Sequence, residues 1–380
     1  MNEMGKFTFI GAVVAIVVIL GGVDGRAQDS KQKAMPGIRH LLLASQPNIV
    51  FVTSSVFKPN FGSLAVADQA CQAHAEFAHL PKNTYKAWLS TTTVNAIDRL
   101  GTARGWVRVD GKPFADTTDD IAAQKIYYPI RVDENGNFDN SAGGSPVWTG
   151  TWNNGTLHPS GNCLDWTSAS NADQGVNGRD DAIAGTLSSS GNSACDSSYR
   201  LYCFGVDRKV PVSVKPATGR IAFVTMQFWG PNTAGLADAD QLCTDEAAYA
   251  NLSGTFKAML ATDGASAASR FNMNGLPWVR PDGVPIASTA AELFSADFLN
   301  SAINLTADGQ EYLANSGVWT GANSPSTAGD PGTTCKNWTS NLDTDWAETG
   351  SAGFTHVNSF FAGGFNKCNG GVIHLYCLQE

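Results

Sequence analysis

The sequence predicts an α+β protein made of two homologous domains, residues 48–205 and 220–380. Three observations predict it. Six short words recur in one order, about 172 positions apart. In each copy an apolar strand leads into one amphipathic helix, after which only strands, turns and loops follow. Eight cysteines fall four to a copy.

The repeat reads from end to end. Phe51-Val52-Thr53 returns as Phe223-Val224-Thr225, "LAVADQAC" ending at Cys71 as "LADADQLC" ending at Cys243, and "TYKAWLST" from Thr84 as "TFKAMLAT" from Thr255. "WVRVDG" from Trp106 matches "WVRPDG" from Trp278, "VWTG" from Val147 matches the same word from Val318, and "LYC" closes both copies at Cys203 and Cys377. Two copies of this length exclude a solenoid, whose short units need at least three neighbours to bury a core. Pro211 and Pro216 favour an extended connector over 206–219.

Within each copy, "NIVFVTSS" or "RIAFVTMQ" supplies the strand. Leu64, Ala67, Cys71, Ala75 and Ala78 then repeat at helical spacing, as do Leu236, Ala239, Cys243, Ala247 and Ala250. Asp68 and Asp240 fall inside these helices and read as exposed or locally hydrogen-bonded carboxylates. Asp110-Gly111 and Asp282-Gly283 read as hairpin turns, and Asn135-Gly136 and Asp308-Gly309 as hairpins with type I′ turns.

With 25 Lys and Arg against 34 Asp and Glu, a net charge of -9 and no long basic run, nucleic acid and heparin-like polyanions are poor partners. Lys6, the apolar stretch Phe7 to Val23 and Gly25-Arg26-Ala27 read as an export signal over 1–27, followed by a linker over 28–47. The chain is expected to be secreted, periplasmic or on the cell surface. In that setting an even set of cysteines, with 92 residues from the first to the second in both copies, is a disulfide framework of three formal pairings per copy. No Cys-x-x-Cys or Cys/His cluster of ligand spacing suits zinc.

The ordered set of "ADQAC" or "ADQLC", "T[YF]KA", "VWTG", Cys-x-x-Trp ("CLDWTS" from Cys163, "CKNWTS" from Cys335) and a closing cysteine pair resembles the C-type-lectin-like fold. It is most similar to the collagen endostatin-like type and to exported bacterial domains of that fold. The resemblance covers both copies. It implies, for each, one main helix, a mixed and mostly antiparallel sheet, long loops and two disulfides, first cysteine to fourth and second to third. Carried over, Cys71 bonds Cys203, Cys163 bonds Cys195, Cys243 bonds Cys377 and Cys335 bonds Cys368. The motif Trp is expected against the core beside its bridge.

No catalytic set emerges, and no cofactor or metal is expected. The six histidines, 40, 74, 79, 158, 356 and 374, have no histidine at their matching positions: His74 faces Glu246, His79 faces Asn251 and His374 faces Arg200. There is no G-x-S-x-G elbow. The calcium triplets of the sugar-binding lectins are missing, since Gln46-Pro47-Asn48 precedes the first strand. "DENGNFD" from Asp133 has Phe138 where an EF-hand loop needs Gly and Gly144 where it needs Glu. The endostatin zinc histidines and heparin-binding arginines also lack counterparts. Ligands of this fold meet the loops after "VWTG", here 151–162 and 322–334. Trp152 and Asn153 are the candidate contacts, because Ala322 or Asn323 replaces Trp152 in the second copy. Sequons stand at Asn154, Asn251, Asn304 and Asn337. The expectation is a non-enzymatic, exported binding or adhesion protein for an extracellular protein or matrix ligand. The alternative is a calcium-independent glycan-binding lectin, and behind it an unrecognised enzyme.

Overall fold

A computed structural model describes residues 46–183, 185–310, 317–371 and 373–380. The expected export signal lies outside the described residues, as does nearly all of the 28–47 linker. Among the described residues, no helix is long and apolar enough to cross a membrane.

The first repeat begins with β1, Asn48–Val52. After Asn48 its run is apolar because both faces are covered: Val50 and Val52 enter one buried cluster, while Phe51 points to the other, with the helix. That helix, α1, spans Leu64–Phe77 and buries Ala67, Cys71 and Ala75, the middle of the predicted stripe, with Leu64 and Ala78 half-buried at its ends. It ends where His79 takes a left-handed φ of 54° and Leu80 N–H reaches back to the Ala75 carbonyl. This closure satisfies a carbonyl the helix would leave bare.

The strands β2 (Tyr85–Ala87), β3 (Trp106–Arg108), β4 (Pro113–Ala115), β5 (Pro146–Trp148), β6 (Gln174–Arg179), β7 (Gly191–Ala194) and β8 (Arg200–Gly205) complete the sheet. Its order is β4-β3-β1-β8-β5-β6-β7, with β2 also pairing with β8. β1 is antiparallel to β8 and parallel to β3, and β5 is parallel to β8. Asp68 is a hydrogen-bonded carboxylate: it grips Arg99 through both carboxylate oxygens at 2.5 and 2.6 Å and accepts Ala87 N–H at 2.9 Å, tying α1 to β2. In the second repeat Asp240 divides the same task, Oδ2 accepting from Arg270 at 2.6 Å and Oδ1 from Ala258 N–H at 2.8 Å.

There β9 (Arg220–Val224) precedes helix α2 (Leu236–Tyr249). β10 (Phe256–Ala258), β11 (Trp278–Val279), β12 (Gly317–Trp319), β13 (Trp346–Ser351), β14 (Gly364–Lys367) and β15 (Tyr376–Gln379) follow. They pair as β10-β15-β9-β11 and β12-β13-β14.

Four bridges link Cys71 to Cys203, Cys163 to Cys195, Cys243 to Cys377 and Cys335 to Cys368. Each lies within one repeat. Closing loops of 132 and 32 residues removes, in the chain-entropy account, up to about 5 and about 4 kcal/mol of denatured-state freedom. Disulfides of this number belong to an oxidising compartment.

Two expectations need correction. Short helical segments, such as Thr118–Ala122 with its Thr117–Asp120 capping box, interrupt the strand-and-loop half. The turns at Asn135-Gly136 and Asp308-Gly309 are also not type I′. Only the glycines take positive φ, 85° and 80°, and Gly136 and Gly309 N–H bond the carbonyls of Asp133 and Thr306. Asn135 stays at negative φ, so the turn is of type I with glycine at the following bulge.

The repeats meet along a seam inside one unit, Leu42–Glu380. Ile183 N–H donates to Gly353 O and Thr355 N–H to Asp181 O, both at 3.0 Å, around an antiparallel Ala182–Phe354 bridge. Arg280 Nη1 donates to Ile126 O at 3.0 Å, and the Arg131 guanidinium lies 3.6 Å from the Phe298 ring centroid. Ala302 packs into the first repeat's core. The connector is tied down: Val212 N–H bonds Asp116 Oδ1 at 2.8 Å and Ala217 N–H bonds Gly283 O at 3.0 Å.

Candidate functional site

The loop after β5 carries Trp152 on a tight turn. Trp152 N–H donates to Thr156 O at 2.7 Å, Gly155 N–H to Trp152 O at 2.9 Å, and Asn154 Oδ1 accepts from both N–H and hydroxyl of Thr156. Leu157 N–H is held by Asn95 Oδ1 at 3.0 Å. The indole remains 42% exposed, braced by the His158 ring at a centroid distance of 3.6 Å. Burial keeps His158 below the usual imidazole range, and its Nδ1 accepts from Ser160 N–H. The brace is therefore a neutral ring. Asn153, the other candidate, is half-buried, and its Oδ1 is enclosed with no hydrogen-bond partner among the described residues. The two residues are adjacent, but only Trp152 presents its side chain outward.

Behind this loop, each Cys-x-x-Trp forms one turn of left-handed helix, which nothing in its composition announces. Cys163, Leu164, Asp165 and Trp166 have φ of 52°, 54°, 54° and 65°, and Cys335 to Trp338 follow at 48°, 54°, 59° and 65°. For L-residues this costs about 1–2 kcal/mol each. The turn persists because everything around it is fixed. The cysteine is bridged, the Trp is fully buried, and its Nε1 donates to Ser90 O or Ala261 O at 2.7 Å. Asp165 also accepts Thr92 N–H and hydroxyl at 2.7 and 2.6 Å.

The histidines divide by role. His79 and Asn251 are helix-ending residues with φ of 54° and 58°. His374 Nδ1 bonds Thr225 O at 2.7 Å, while Arg200, its match, donates to Thr53 O, the equivalent carbonyl. His74 differs. Its Nδ1 lies 2.7 Å from Glu134 Oε1, and Glu134 also accepts Ser54 N–H at 2.9 Å, the Ser54 hydroxyl and Asn135 Nδ2. Burial alone would raise this carboxyl, but the bonds from His74 and Ser54 outweigh it and hold its pKa at about 2. These groups sit in a 390 Å³ cleft with Ser55, Ala73 and Phe77.

In the second repeat the same place is closed. Glu246 stands for His74 and Ala307 for Glu134, the Glu246 carboxylate accepts Met226 and Gln227 N–H at 2.8 Å, and about 10 Å³ remains. The paired exchange, His with Glu against Glu with Ala, was visible between the copies. Matching histidine to histidine does not find it, because the pair changes both members at once.

Among the described residues, no group of three or more His, Cys, Asp or Glu side chains is placed to hold a metal ion. No family model matches the chain, and no curated protein matches it.

Proposed function

We propose that the chain is an exported, non-enzymatic recognition protein of two C-type-lectin-like, endostatin-like repeats, which binds an extracellular protein or matrix ligand through the loops of the first. The observation that carries this reading is Trp152, a large aromatic face left 42% exposed on a turn held by backbone bonds and braced by His158. An exposed Trp on a rigid support loses little side-chain freedom on binding and is the residue most often found to dominate interface energetics. The four disulfides support the extracellular setting. The second-repeat loop, "ANSPSTAGDPGTT", has no aromatic, so the two repeats do not share this contact. Trp152→Ala tests the reading: it removes a partly exposed side chain at the surface and should weaken ligand binding while the fold persists.

A further inference from the structure

The first-repeat cleft has an unused chemical feature. Glu134 is ionised and only accepts, so His74 Nδ1 carries the hydrogen and, in the neutral ring, Nε2 is an acceptor. Nε2 has no partner among the described residues, and the His74 side chain is 18% exposed. The other polar groups are largely committed: the Ser54 hydroxyl and Asn135 amide are bonded to Glu134, whose own side chain is only 1% exposed. No Lys or Arg lines the cleft, and its carboxylate is saturated, so neither an anion nor a cation is matched there. Ala73 and Phe77, the latter 79% exposed, supply an apolar wall, and Phe57 packs edge-on against the His74 ring at 5.8 Å.

One directed acceptor beside apolar surface, with few other groups to satisfy, fits a ligand with one hydroxyl on an apolar ring. We propose that this cleft is an anchor site for a phenol, the tyrosine side chain of the protein ligand, whose hydroxyl donates to His74 Nε2 while its ring lies on Phe77. The inference rests on the chain being a binder of an extracellular protein, and it deepens that reading by naming a group the partner presents. A volume of 390 Å³ lies within the usual range for small-ligand pockets of roughly 300–1,000 Å³ and admits one aromatic side chain. A polyol is fitted less well, because most of its hydroxyls would find no free partner. The second repeat, with about 10 Å³ at this place, binds nothing there.

The test titrates the full chain with N-acetyltyrosinamide, N-acetylphenylalaninamide and glucose, followed by NMR of the His74 and Phe77 resonances. The tyrosine amide should bind in the millimolar range, about tenfold tighter than the phenylalanine amide, the worth of one hydrogen bond. His74→Asn keeps a donor for Glu134 but leaves no acceptor at the Nε2 position, the shorter amide oxygen falling short of it, and should erase the preference. The double variant His74→Glu, Glu134→Ala installs the second repeat's closed arrangement and should abolish binding with the fold intact. Equal binding of the two amides, binding that survives the double variant, preferential glucose binding, or no binding at tens of millimolar would each overturn the proposal. Because the probe is a single amino-acid amide, these results are separate from any effect of Trp152→Ala on the whole ligand.

Discussion

Ala182 pairs antiparallel with Phe354, its own equivalent 172 positions later, so the seam joins the two repeats through the same segment of each. The flanking bonds, Ile183 N–H to Gly353 O and Thr355 N–H to Asp181 O, exchange under the same shift. This is the isologous contact of a two-fold dimer, built within one chain.

The halves should therefore stay together when the connector is cut. No disulfide crosses the seam, and Lys209, followed by Val210 in the connector, is exposed to trypsin. Nicked protein should elute from gel filtration as the intact chain does and separate into two fragments only in denaturant. Elution as two smaller species would show that the seam contacts do not hold.

The left-handed turn makes an unusual mutational forecast. Leu164 is 64% exposed at φ 54°, so Leu164→Gly relieves backbone strain and forfeits little packing. After allowing for the greater freedom of glycine in the denatured chain, stability should rise by about 0.5–1 kcal/mol in urea unfolding. A loss of stability would show that the turn is not strained.

Breaking the neighbouring bridge acts the other way. The double variant Cys163→Ala, Cys195→Ala should cost about 3–4 kcal/mol, since it also frees the turn that the bridge holds. Calorimetry against the parent measures it, and a cost under about 1 kcal/mol would assign the turn's support to Trp166 and to the Asp165–Thr92 bonds.

Glu348 sets a pH dependence. It is 3% exposed, its Oε2 has no hydrogen-bond partner among the described residues, and burial pushes its pKa up to about 7. A carboxyl raised on folding favours the native state while protonated, so its contribution is complete below the ordinary carboxylate range and is lost as pH rises toward and through 7. Glu348→Gln keeps the shape without the charge. It should match the parent at pH 4.5 and exceed its stability by about 2 kcal/mol at pH 8. A gap that does not change with pH would mean that Glu348 is as well solvated folded as unfolded.

The duplication, strand β1, the two helices and the cysteine framework were legible because each rests on a pattern local in sequence or repeated between copies. The Cys-x-x-Trp turn was not. Its four positive φ values occur without glycine, and what enforces them, Ser90, Thr92 and the bridge, comes from elsewhere in the chain. The turn at Asn135-Gly136 was misread because the dipeptide suits two turn types, and only the backbone separates them. At the candidate site, Trp152 stood out as unmatched, whereas Asn153 beside it is half-buried, with its Oδ1 enclosed. The His74–Glu134 pair spans 60 residues, and no spacing rule connects a helix residue to a turn so far away.

The central claim, that the first repeat recognises an extracellular ligand through Trp152, is tested most directly by biolayer interferometry. The full chain and its Trp152→Ala variant are passed over a panel of immobilised collagens, fibronectin, laminin and neutral glycans, with and without EDTA. The account predicts a protein ligand in the panel whose affinity falls at least about tenfold in the variant, as for an aromatic hot spot, and is indifferent to the chelator. Equal affinity of variant and parent, or binding that EDTA abolishes, would contradict it; binding confined to glycans would establish the lectin reading instead.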